Sequence, residues 1–171
     1  MTSRTDFTED EWARLGRAPL VAGMAISLAD PGGPIEAIKE SSAALKTVLD
    51  AAQEGGYGEL VQTVAQDVAA KARRRENPMA GFKPDRRNAR EEILGELRAV
   101  NALLLAKATP DEVEEFREWL KAASQRAALA AKEGGFLGIG GERVSEREQQ
   151  MLDTLGEIFG APPGAPPAGS P

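Results

Sequence analysis

The sequence predicts an all-α fold, a single-domain bundle of about six helices, and three observations carry that prediction. Three helix starts are written as capping boxes. Apolar residues recur at three- and four-residue spacing over long stretches, and no segment alternates with period two for long enough to make a strand.

Thr8-Glu-Asp-Glu11 opens the first helix, with Phe7 and Trp12 at the staple positions on either side of the cap. That helix is predicted from Glu9 to Leu28, with Pro19 bending or splitting it because proline brings no amide to the helical ladder. Asp30-Pro-Gly-Gly-Pro34 is a turn. Pro34 then opens a second helix that reaches Glu54, where Gly55-Gly56 ends it, and Ile35, Ile38, Leu45, Val48, Leu49 and Ala52 form its apolar stripe. A third helix carries Leu60, Val61, Val64, Val68 and Ala72.

Asn77 to Pro84 reads as a loop, since Asn-Pro and a glycine interrupt the pattern. The fourth helix follows, with Ile93, Leu94, Leu97, Val100, Leu104 and Leu105 on its buried side. Thr109-Pro110-Asp111-Glu112 starts the fifth, which runs to Lys132 and buries Val113, Phe116, Trp119, Leu120, Ala123 and Ala127. Ser145-Glu-Arg-Glu148 starts the sixth, from Glu146 to Phe159, burying Met151, Leu152, Leu155, Ile158 and Phe159. Residues 1–160 are therefore expected to form one helical domain. The remaining 161–171, APPGAPPAGSP, is expected to be a disordered tail, because it has no apolar face to offset its ordering entropy.

Composition narrows the chemistry. The chain has 171 residues, 42% hydrophobic and 28% charged, within the range of ordinary globular domains. It contains no histidine and no cysteine. Disulfides, thiolate nucleophiles, Ser-His-Asp catalysis, imidazole bases and the usual zinc or haem ligation are excluded by inventory. No cofactor is expected, and any metal would be a hard divalent cation held by oxygen: calcium, manganese or magnesium. The run from Ala18 to Ala29 has the look of a signal-peptide core, but Asp6, Glu9, Asp10 and Glu11 make the preceding segment acidic. A run of twelve residues is too short to cross a bilayer. A soluble cytoplasmic protein with no membrane insertion is the expectation.

Three segments stand out as candidate sites. The first is the glycine-rich connection after the fifth helix, where Gly135, Phe136, Leu137, Gly138, Ile139 and Gly140 offer close backbone approach together with bulky apolar groups. It is not a nucleotide loop, because Arg143 stands where a third glycine would be required and a helix, not a strand, precedes it. It reads either as a wide turn docked on the core or as a partner-binding loop. The second is a basic run: Lys71, Arg73, Arg74, Arg75, Lys83, Arg86, Arg87 and Arg90 fall within twenty positions, broken only by Glu76 and Asp85. Clustered arginine suits phosphate or an acidic protein surface, and it also suits a helix C-terminus for purely structural reasons. Phe82 is the lone aromatic there, and the net charge of the chain is −6, so nucleic acid is disfavoured. The third is the acidic turn, where Asp30, Glu36 and Glu40 could present carboxylates to a hard cation, or else serve as a cap with dipole-favoured glutamates.

Leu28-Ala-Asp30…Ile35-Glu36 and Gly140-Gly141-Glu-Arg-Val-Ser-Glu-Arg-Glu-Gln-Gln-Met-Leu152…Leu155-Gly156 share a theme: apolar helix end, turn, acidic cap, leucine-bearing helix. This is similar to the tellurite-resistance TerB-like domains, whose duplicated Asp-Gly turns bind divalent cations. The likeness implies a carboxylate cation site at the first turn. Pro31 separates Asp30 from its glycine, and Gly140 stands where the second aspartate is expected. The chain also resembles a set of uncharacterised bacterial helical proteins. These share a tryptophan-bearing helix, Lys-Glu-Gly-Gly-Phe-Leu-Gly-x-Gly-Gly and Val-Ser-x-x-Glu, matched here by Trp119, Lys132 to Gly141 and Val144 to Glu148. The functional expectation is a non-enzymatic, stress-associated interaction module with an unidentified protein partner or a homo-oligomer. The alternative is a TerB-like cation-binding domain.

Overall fold

The computed structural model describes residues 1–29, 34–54, 56–132 and 145–160; of 34–42, 54, 131 and 132 it describes the backbone alone. Six helices follow one another: α1 (Glu9–Ala29), α2 (Pro34–Glu54), α3 (Glu59–Arg73), α4 (Ala89–Lys107), α5 (Pro110–Lys132) and α6 (Glu146–Gly160), preceded by a short 3₁₀ turn, Arg4–Asp6. The fold is all-α, with no strand among the described residues. None of these helices is long and apolar enough to cross a membrane. The turn at 30–33 and the tail 161–171 lie outside the described residues.

All three capping boxes form in both directions. The Thr8 amide donates to Glu11 Oε2 at 2.7 Å while the Glu11 amide reaches Thr8 Oγ1. Thr109 and Glu112 exchange the same pair of bonds, as do Ser145 and Glu148. Each box satisfies two amides that the first helical turn leaves without partners. Phe7 and Trp12 pack with ring centroids 5.7 Å apart, closing the hydrophobic staple of α1.

The core is organised around α1. Trp12, Leu15, Ala18, Val21, Ala22, Ala25 and Ile26 are buried, and the helix packs against α2, α3, α4, α5 and α6. A helix contacted by five others needs a broad apolar surface rather than one narrow stripe, and the small residues within it let neighbouring backbones approach. Gly16 is the clearest case: a Cβ there would lie 3.1 Å from Val68 Cγ2 of α3. Of the two effects expected of Pro19, splitting does not occur, and α1 continues through it as one helix. Pro19 is buried, and the surrounding packing offsets the ~3 kcal/mol that an internal proline costs.

Around this centre, α2 and α5 pack closely against each other as well as on α1. The α5 stripe is buried as its spacing predicts, with Phe116 and Trp119 meeting edge to face at 5.2 Å. Leu105 and Leu152, expected on buried faces, are only half-buried, and so are Leu45, Leu49 and Ala52 of the α2 stripe, where Val48 is buried together with Ala44 and Ala51. Helix α4 also starts later than the sequence suggests. Asp85 accepts the Arg87 amide through Oδ1, and its carbonyl accepts the Asn88 amide, so a local turn holds the chain until Ala89.

The N-terminus is tied down by Glu112, whose carboxylate accepts the Thr2 amide (2.8 Å), the Thr2 hydroxyl, the Thr109 amide (2.9 Å) and the Thr109 hydroxyl. Burial opposes ionisation of this carboxyl, but the four hydrogen bonds outweigh it and hold its pKa down at about 2. Because the folded value lies below the ordinary one, the associated stability is complete above about pH 4.5 and is lost as pH falls toward 2. Urea midpoints taken between pH 6 and pH 2.5 should fall over that interval in the native chain. Glu112→Gln should lower the midpoint at pH 6 and flatten the dependence; an unchanged pH profile would show that this carboxylate does not carry it.

Candidate functional site

The basic run lies at the end of α3 and along the connection to α4, residues 74–88. Its placement begins with how α3 stops. The Glu76 amide bonds the Lys71 carbonyl (3.0 Å) and the Arg75 amide bonds the Ala72 carbonyl (3.0 Å), the paired closure that usually has glycine at its left-handed position. Here that position is Arg75, with φ of 58°. A side chain in this conformation costs about 1–2 kcal/mol, and the chain keeps a guanidinium there.

Beyond Arg75 the connection is pinned rather than loose. Asn77 Oδ1 accepts the Met79 amide (2.9 Å), the Ala80 amide reaches the Asn77 carbonyl, and the Phe82 amide reaches Met79. Met79 and Phe82 are half-buried against the core. From below, Arg17 of α1 holds the segment: its Nη1 donates to the Ala80 carbonyl (3.4 Å), and its guanidinium lies 5.9 Å from the centre of the Phe82 ring. Arg17 is itself fixed by Glu96 of α4, with Nη2 at 2.7 Å and Nε at 2.9 Å from Oε1, and Arg14 donates to the same oxygen at 3.1 Å. Side-chain exposure of Arg17 and Glu96 is 8% and 9%, so their attraction is little screened by water.

The structure separates the basic residues into two sets. Arg74 pairs with Glu76 at 2.7 Å, and that hydrogen bond raises the pKa of the guanidinium and lowers that of the carboxyl. Lys71 pairs with Asp67 at 2.9 Å. Arg73, Arg75, Lys83, Arg86, Arg87 and Arg90 are exposed and make no ion pair among the described residues. Residues 71–90 hold eight cations and two anions, a local charge of +6 in a chain of −6, which leaves −12 on the remainder. Beside this cluster lies a notch of about 360 Å³ between α1, the end of α3 and the connection. Ala13, Gly16, Val68, Pro78 and Ala80 line it together with the polar Lys71, Glu76 and Asn77.

The other candidates fare differently. Asp30 and the segment Gly135, Phe136, Leu137, Gly138, Ile139, Gly140 lie outside the described residues. Glu36 and Glu40 fall one turn apart on α2, but their side chains lie outside the described set. Among the described residues no cluster of three carboxylates is placed to hold a metal ion. A second groove, about 470 Å³, runs between α5 and α6 past Ser124, Ala128, Leu129, Leu152 and Leu155. The fold and site together define a helical bundle that displays a rigid cationic connection. No protein-family model, curated protein or solved structure matches the chain.

The Arg17–Glu96 pair is the part of the site that sequence reasoning missed. Its signal was present, since Arg14 and Arg17 interrupt a helix that is otherwise apolar on the same side. Glu96→Ala would leave Arg17 buried without its carboxylate, and denaturant unfolding should register a loss of about 3–5 kcal/mol. A loss below 1 kcal/mol would show that the pair holds little. Arg75→Gly should act in the opposite sense, raising stability by about 1 kcal/mol through relief of the left-handed strain; a lower unfolding midpoint would contradict the strain argument.

Proposed function

We propose that this chain is a non-enzymatic interaction module that docks an acidic protein surface on the cationic connection between α3 and α4. The observation that supports the reading is the set of six exposed cations on a pinned segment, unneutralised by neighbours in a protein whose remaining surface is strongly acidic. Like charges held close together raise the free energy of the isolated protein, and an acidic partner relieves that repulsion on binding. Preorganisation matters as much as charge, because a segment already fixed by Arg17 and Asn77 gives up little entropy when it is covered. Arginine adds planar, paired donors suited to carboxylates.

The experiment is affinity capture of the tagged protein from its own cells at low and at high salt, beside a variant carrying Arg73→Glu, Arg75→Glu, Arg86→Glu and Arg87→Glu. An acidic protein retained in stoichiometric amount at low salt, released by salt and absent from the variant at unchanged melting temperature is the expected result. Retention of the same proteins by the variant would sink the proposal.

A further inference from the structure

We propose that the bond between Met1 and Thr2 is a processing site, and that the α-ammonium group freed on Thr2 is the countercharge of Glu112. Two observations on either side of that bond carry this, and neither involves the cationic connection. The first is an unbalanced charge. Glu112 is buried, and its four hydrogen-bond partners are the amides and hydroxyls of Thr2 and Thr109, all neutral. No cation pairs with it among the described residues, although a buried glutamate is seldom left without one. Lys107 is close, with its carbonyl 3.4 Å from the Thr2 hydroxyl, but its ammonium is given to Glu11 (2.6 Å) and to the Asp6 carbonyl (3.0 Å).

The second observation is the contrast between residues 1 and 2. Thr2 is 8% exposed, and its nitrogen lies 2.8 Å from Glu112 Oε1. Met1 is 96% exposed and makes no hydrogen bond or ion pair with another described residue. Hydrolysis adds water across the bond between them. The methionine leaves with a new carboxylate, and the Thr2 nitrogen is released as an amine that takes up a proton. One neutral N–H donor thereby becomes a charged group with three, already within hydrogen-bond distance of a carboxylate. A charge-assisted bond replaces a neutral one, and the buried anion gains an opposite charge at contact distance. The agent is a peptidase acting on the unfolded chain. Once Thr2 is buried the bond is closed to such an enzyme, so the cut precedes the docking of α5, which brings Glu112 from 110 residues further along. The cut is defined by the residue it exposes, whatever precedes Met1 at synthesis.

The test begins with the intact mass and terminal sequence of the protein purified from its own cells on a C-terminal tag. Thr2 with an unblocked amine should be the first residue. Chains beginning at Thr2, and chains that keep its nitrogen an amide through Met1→Gly, can then both be released from a cleavable leader and unfolded in urea. The Thr2 chain should have the higher midpoint at pH 7. Pairing raises the folded pKa of the amine above its unfolded value of about 7.7–8.0, so the gain is complete below that value and is lost as pH rises through the folded one. The difference between the chains should therefore shrink from pH 8 to pH 10. The other charged groups around this nitrogen, Lys107, Glu11 and Asp6, are common to both chains and cancel from the difference. Glu112→Gln should abolish it. The comparison of the two amino termini also stands without that variant, because neither terminus alters a side chain of the core.

A native protein that keeps Met1, or that carries an acyl group on Thr2, would overturn the inference. Equal midpoints at pH 7 would do the same, as would a difference that does not shrink at alkaline pH or that survives in Glu112→Gln.

Discussion

A charge held in the interior of a helical bundle needs a partner that meets it, and in this fold that place is Arg17 of α1 against Glu96 of α4. Removing two charged groups from water costs several kcal/mol for each, and the pair recovers that only with short distances and further hydrogen bonds. Both conditions hold: two nitrogens of Arg17 reach one carboxylate oxygen, and the remaining donor turns to the Ala80 carbonyl. The pair therefore does more than join α1 to α4. It sets the height at which the α3–α4 connection crosses the bundle, with Phe82 resting on the guanidinium. The exposed arginines farther along inherit their position from this buried one.

Charge is distributed in opposite ways above and below that connection. Elsewhere on the surface many cations are matched to carboxylates close in space, among them Arg4 with Glu9, Lys107 with Glu11, Lys121 with Glu118, and Arg126 with Asp50, although Lys46 and Arg147 are not. Such exposed pairs contribute little to stability individually, but they leave little field beyond the surface. Along 73–90 the matching is incomplete, so field lines extend into solvent over about a Debye length, ~8–10 Å at ordinary salt. An approaching acidic group meets that field before it meets the protein.

The local parts of this architecture were legible in the sequence because their determinants are local. A capping box needs only a hydroxyl and a carboxylate three residues apart, and the boxes at Thr8, Thr109 and Ser145 formed as written. The α5 stripe followed from its spacing in the same way. That α1 is not split at Pro19 was not legible, because the penalty for proline is read locally, whereas the packing that offsets it comes from helices far away in sequence. The site was legible only as composition. Nothing in the order of residues says that Arg74 is neutralised by Glu76 while Arg75 is not; the reversal of the chain at the end of α3 decides it. Nor does the sequence name Glu96, 79 positions from Arg17, as the carboxylate that meets it.

The central place of α1 bears on how the molecule is made. This helix is synthesised before the five that cover it, and those packing on it include α5 and α6, the last described helices in the chain. At ~5–20 residues per second, ribosomal elongation leaves α1 waiting on the order of ten seconds for its final neighbours. Its partners arrive one by one over that interval: Glu96, which meets Arg17, comes with α4, and the faces that α5 and α6 cover wait longest. The nascent chain therefore completes its core only after α6 has emerged.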